Sequence, residues 1–296
     1  MQKRFVITTE SNSEVPFEWE DRTGVSVLRM PYTLNGIEYF YDLGRNTDIS
    51  AFFQAMREGA TVITSQRNPN EIVEYFEPFL MQGLDILHIG FSSALSGTFN
   101  CEVIAAKELM EKYPERRIEL VDSLSISAPL ALLIEEATKM QEQGAELDEI
   151  RDWVEENKLS VCALFTVDSL EYLKRGGRVS GAAAFFGSVL EIKPVLYIDS
   201  EGRLVPLEKV KGRKRAIKYI LEKCAATIKD PQNQTVVIWQ ADCMDEAMAL
   251  QEQVKALINP KEVRIEPVGP VIGSHAGPGT LSIAYFGRNR SEISAQ

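Results

Sequence analysis

The chain has 296 residues, 45% hydrophobic and 25% charged, the balance of a folded globular protein with room for one large or two ordinary domains. Its 32 basic and 43 acidic side chains leave a formal net charge of -11, which argues against a nucleic-acid partner and against anionic lipid headgroups over the whole surface. Cys101, Cys162, Cys224 and Cys243 form no C-x-x-C pair, and only two histidines accompany them, so no metal is expected. Thiols scattered through apolar stretches, an N-terminus unlike a signal peptide and no bilayer-length apolar run predict a cytoplasmic protein without stable membrane insertion.

Strand-like and helical patterns alternate along the chain. Residues 5–8 are apolar and β-branched, and residues 24–34 read as another extended segment. Ile49, Phe52, Phe53 and Met56 recur at helical spacing within residues 48–57, as do Ile72, Val73, Phe76 and Leu80 within 70–81. A strand at 85–91, a helix at 103–113 and a strand at 117–121 follow. Two acidic helices at 130–143 and 147–157 precede a change of character. A second set begins with a strand at 159–167. Strands 193–198 and 204–210 form a hairpin around Asp199-Ser200-Glu201-Gly202, and a strand at 235–241 is flanked by helices at 216–227 and 244–257. The alternation predicts an α/β protein with mainly parallel sheets, divided near residue 158 into domains 1–158 and 159–296.

Ligands of open α/β sheets sit beyond the carboxyl ends of strands, so the loops there are the candidate sites. Thr64-Ser65-Gln66 follows an apolar run and precedes a helix. Ser92-Ser93-Ala94-Leu95-Ser96-Gly97-Thr98 follows a strand and again opens a helix. Hydroxyls and unpaired N–H groups at a helix start suit a carboxylate or phosphate, although the same residues also serve as simple caps. Gly273-Ser274-His275-Ala276-Gly277-Pro278-Gly279-Thr280 sets a histidine in what reads as a tight exposed turn. His88, inside Ile86-Leu87-His88-Ile89, reads as a histidine satisfied within the sheet. Leu173-Lys174-Arg175-Gly176-Gly177-Arg178-Val179-Ser180 matches no nucleotide fingerprint and is also consistent with a helix ending at Gly176. A basic run, Lys209-Val210-Lys211-Gly212-Arg213-Lys214-Arg215, stands out on so acidic a chain. Residues 181–190, small and apolar, fit either core packing or the wall of an acyl tunnel.

These loops, together with Ile192-Lys193-Pro194-Val195-Leu196, resemble the DegV family of lipid-binding proteins in order and approximate spacing over nearly the whole chain. The resemblance implies two α/β domains with a long-chain fatty acid, palmitate- or oleate-like, buried between them and no other cofactor. It implies a carrier rather than an enzyme, the FakB-type partner of a separate fatty acid kinase that phosphorylates the carboxylate. Carried onto this chain, the N-terminal domain holds the carboxylate through Thr64, Ser65, Ser93 or Ser96, and Gly97, while the C-terminal domain lines the acyl tunnel and closes the site with His275 next to the headgroup. Arg175, with Arg178, Lys209 and Arg213, is the expected kinase-docking set. The chain departs from the family pattern with Arg67 after Thr64-Ser65-Gln66, close to the expected headgroup, and with Glu10-Ser11 near the start. A competing reading is a serine esterase. Gly90-Phe91-Ser92-Ser93-Ala94 nearly matches a nucleophile elbow, and Ser93, then Asp122 or Asp199, then His275 follow hydrolase order.

Overall fold

The computed structural model describes residues 4–179 and 192–293. The expected tunnel segment 181–190 lies outside these residues. The N-terminal half opens with β1 (Phe5–Glu10), α1 (Phe17–Thr23), β2 (Ser26–Leu28), β3 (Pro31–Leu34) and β4 (Ile37–Phe40). It continues through α2 (Ile49–Arg57), β5 (Val62–Thr64), α3 (Pro69–Met81), β6 (Asp85–Gly90), α4 (Thr98–Lys112) and β7 (Ile118–Asp122). Two helices, α5 (Ser127–Glu142) and α6 (Leu147–Asn157), lead into the second half.

Every residue of β1 is buried, which its unbroken Phe-Val-Ile-Thr-Thr run permits, and it lies centrally in a parallel sheet of order β2-β1-β6-β7. A small antiparallel sheet, β4-β3-β5, flanks it and carries Thr64 at its end. Local chemistry sets the helix starts. Asn68 accepts the Glu71 N–H at 3.1 Å while Glu71 accepts the Asn68 N–H at 2.9 Å, with Pro69 at the first helical position of α3. Asp48 caps α2 through the Ala51 N–H.

The second half contains β8 (Val161–Thr166), α7 (Glu171–Gly176), β9 (Ile192–Ile198), β10 (Leu204–Lys211), α8 (Arg213–Thr227) and β11 (Thr235–Gln240). It closes with α9 (Met244–Ile258), β12 (Glu262–Pro267), α10 (Pro270–Ala276) and β13 (Leu281–Phe286). The β9–β10 hairpin forms as expected, with Gly202 at positive φ in its turn. The six-stranded sheet has the order β10-β9-β8-β13-β11-β12, and only β11 and β12 pair in parallel. The mainly parallel pairing expected therefore holds for the first sheet, while the second is mainly antiparallel. The β8–β9 and β9–β10 neighbours pair antiparallel, and β13, which returns after α10, inserts antiparallel between β8 and β11.

Helix α5 joins the two halves. Eleven of its sixteen residues are buried, so the helix expected to be acidic is a core helix packed against β1 and against β8, β11 and β13. Its Glu135 is almost fully buried and accepts from Arg264 of β12 at 2.5 Å.

Candidate functional site

Three elements converge on one point. Strand β5 ends at Thr64, the 92–98 loop opens α4, and α10 brings His275. Thr64 Oγ1 lies 2.7 Å from His275 Nε2, a contact spanning 211 positions. His275 occupies the last turn of α10 and is largely buried, which replaces the exposed turn expected from its glycine-rich surroundings. Burial, then the positive charges of Arg178 and Arg175, push its pKa down to about 4, so the imidazole is neutral near pH 7. Its Nδ1 has no hydrogen-bond partner among the described residues. Gly176 explains why: a Cβ there would collide with Nδ1, so the glycine lets α7 close over the ring. Helix α7 ends at Gly176, as the sequence allowed, and takes its left-handed C-cap from Gly177.

Gln66 fixes the first loop to the second. Its amide fills the space a side chain at Gly97 would need and reaches Cys101 Sγ at 3.5 Å. The serines of the 92–98 loop divide by environment. Ser92 is buried and donates to the Gly202 carbonyl at 2.9 Å, tying the loop to the β9–β10 turn. Ser93 is exposed, and its N–H meets Asp122. Ser96 accepts the Thr98 N–H at 3.2 Å, as a cap would, and also faces a cavity of about 730 Å³ with Thr64, Ser65, Gly97 and His275. Asn12, which the sequence did not single out, lines the same cavity, and its buried Oδ1 has no partner among the described residues. Arg178, expected at a docking surface, faces this cavity as well. Its guanidinium donates to the carbonyls of Leu95, at 3.3 Å, and Gly176.

The polar cavity shares Phe91, Leu95, Arg178, Ile272 and His275 with an apolar one of about 680 Å³. Ala163 and Phe165 of β8, Ile198 of β9, Leu204 of β10 and Trp239 of β11 line the apolar part, with the start of α5 closing one side.

The other expected residues lie elsewhere. Arg175 is exposed over the Tyr172 ring, at 5.1 Å, beside an outer recess shared with Ile63 and Thr64. Lys209 stands on the edge strand β10. Arg213 is held within the fold, donating to Glu246 and to the Gly279 carbonyl at 2.6 Å, which leaves little of it for a partner. Arg67, expected near the headgroup, turns instead to the Arg29 carbonyl and Glu71 and stacks on Phe40. No catalytic triad forms from the expected residues. His275 spends Nε2 on Thr64, Asp122 accepts backbone N–H groups and Asp199 pairs with Arg203.

An apolar cavity thus adjoins a polar one lined by hydroxyls and a histidine. Residues 4–288 match the family model described as "Uncharacterised protein, DegV family". A DegV domain-containing protein of Clostridium perfringens is 41% identical, the match covering 96% of this chain and 98% of that protein. Among solved structures, a fatty-acid-binding DegV family protein from Thermus thermophilus superposes with a TM-score of 0.85 at 30% identity, covering 96% of this chain and 99% of that one. A DegV lipid-binding protein from Thermotoga maritima gives a TM-score of 0.83 at 28% identity, covering 97% and 99%. With the family model spanning nearly its full length, the chain belongs to the DegV family.

Proposed function

We propose that this protein binds one long-chain fatty acid, with the carboxylate among Thr64, Ser65, Ser96, Gly97 and His275 and the acyl chain in the apolar cavity. The observation that carries this reading is the continuity of the two cavities through Phe91, Leu95, Arg178, Ile272 and His275. In this reading domain 1–158 supplies most of the headgroup contacts and domain 159–296 most of the chain-lining walls. Burying about fourteen methylenes at roughly 0.8 kcal/mol each favours binding by about 11 kcal/mol before lost ligand freedom offsets a good part of it. The fatty-acid-binding relative from Thermus thermophilus supports the ligand class.

A neutral His275 with Nε2 protonated donates to Thr64 Oγ1, which frees the threonine hydroxyl to donate to a carboxylate oxygen. Arg178 adds a cation at the junction of head and chain. The carboxylate then lies near the outer recess beside Arg175, where a separate fatty acid kinase docks and transfers a phosphoryl group to it. This makes the chain a carrier and the kinase the catalyst.

Native mass spectrometry of the purified chain, followed by organic extraction, tests the ligand. A co-purified species with a fatty acid's mass supports the reading; no bound lipid and no uptake of added palmitate or oleate refutes it. Arg175→Ala is expected to preserve lipid affinity and slow phosphorylation of bound fatty acid by a fatty acid kinase. Lost lipid affinity with normal relative turnover would move Arg175 from docking to binding.

A further inference from the structure

Behind the headgroup loop lies a buried cluster that the fatty acid does not use. Glu10 ends β1, His88 sits in β6 and Glu102 in the second turn of α4, and all three side chains are fully buried. His88 Nε2 is 3.1 Å from Glu102 Oε2 and 3.9 Å from Glu10 Oε2. One donor atom from each residue fits within a 4.8 Å span. Nε2 of His88 has no hydrogen-bond partner among the described residues, and Glu102 has only the Glu10 carboxyl, with which it can share a proton. Unsatisfied polar atoms converging in a dry interior are rare and need an occupant. Gly90 packs against the cluster: a Cβ there would sit 2.7 Å from Phe99 Cδ2 and 3.1 Å from both Nε2 and Glu102 Oε2, so only glycine fits beside these donors.

We propose that Glu10, His88 and Glu102 bind one divalent transition-metal ion. Nitrogen and carboxylate ligands meet such an ion at about 2.0–2.2 Å, which puts neighbouring donors about 3.0–3.5 Å apart. The shorter observed separation already fits, and a small rotation of Glu10 closes the longer one. One imidazole and two carboxylates without a thiolate suit zinc, cobalt, iron or manganese. Two carboxylates balance a dication, so the charge cost of burying the group nearly vanishes. Without a cation, burial drives both Glu10 and Glu102 toward the protonated form and His88 toward the neutral one.

The surrounding contacts are those that orient metal ligands. Thr8 Oγ1 lies 2.9 Å from His88 Nδ1, fixing the ring so that the Nε2 lone pair points into the cluster. Glu10 accepts the Phe91 N–H at 3.0 Å. Phe91 lines both cavities, so the ion would brace the loop that holds the fatty acid headgroup. The ligand positions 10, 88 and 102 share no short spacing, which is why cysteine and histidine counting predicts no metal.

The test uses the full chain refolded from denaturant with chelator, then supplied with Zn2+ or Co2+. The expected result is one equivalent of zinc by elemental analysis, a Tm raised by about 3 °C or more, and visible ligand-field bands from Co2+ at one equivalent. Glu102→Gln and His88→Gln should abolish the response. Should either variant misfold, the cobalt spectrum of the unaltered chain decides alone. A chain whose Tm and cobalt spectrum ignore both ions, or a response that survives in both variants, overturns the proposal in favour of a proton shared between Glu10 and Glu102.

Discussion

Thr64, Ser96 and His275 form the polar end of the cavity, and each acts through one or two atoms. Removing a hydroxyl that donates to a carboxylate costs about 1.5 kcal/mol, or roughly tenfold in Kd. Thr64→Val and Ser96→Ala should each weaken fatty acid binding by about that factor, whereas Ser93→Ala should leave it unchanged. Displacement of a fluorescent fatty acid checks all three, and equal losses at Ser93 and Ser96 would remove the distinction drawn from exposure. His275 also makes stability depend on pH. Its pKa is about 4 in the fold against 6.5 for an exposed histidine, so between these values the unfolded chain binds a proton that the native chain refuses. Stability from this group is therefore lost as pH falls from about 6.5 to 4 and is unchanged above 6.5. His275→Gln should flatten that part of the Tm–pH curve relative to the parent chain. The hydroxyl loops were legible in the sequence because residue type and position after a strand suffice to mark them. Asn12 and the turn of Arg178 toward Leu95 were not, since both depend on segments more than 75 positions apart meeting at one cavity.

Helix α7 shows how an element's own preference yields to its neighbour. Alanine is worth about 0.5–1 kcal/mol more than glycine inside a helix. At Gly176 that gain is opposed by His275 Nδ1, which occupies the space of the added methyl. Gly176→Ala should therefore weaken fatty acid binding without raising Tm, by displacing the imidazole from Thr64. A stabilised variant with unaltered affinity would show that α7 can shift away. Most element types were legible from periodicity and caps, as the Asn68–Glu71 box of α3 illustrates. Strand β13 and helix α10 were missed because glycine and proline at Gly277, Pro278 and Gly279 read as a loop and hid the helix before it and the strand after it.

At the scale of the molecule, Arg290 ties distant segments together. It is fully buried, donating to the Leu124 and Lys158 carbonyls at 2.7 Å each, and burial lowers its pKa to about 10. Arg290→Met leaves two buried carbonyls unpaired, at about 3 kcal/mol in total, and should lower Tm by roughly 6 °C while sparing ligand affinity. Calorimetry beside a binding assay separates the two effects, and a Tm within one degree of the parent would mean that these carbonyls find other donors. Glu14 is a second tie. It accepts from Ser127 at the head of α5 and from the Gly269 N–H, and burial raises its pKa to about 8.

By itself the sequence determined the α/β class, the parallel first sheet, the family and the loops rich in hydroxyls, because each depends on residues near one another in the chain. Tertiary structure alone decided the place of β13 in the second sheet, where it pairs antiparallel with β8 and β11 by burial rather than by local pattern. It alone placed α5 between the sheets and set Arg178 at the cavity. It alone gathered Glu10, His88 and Glu102, since burial and proximity between remote residues are properties of the packed chain and leave no periodic trace along it.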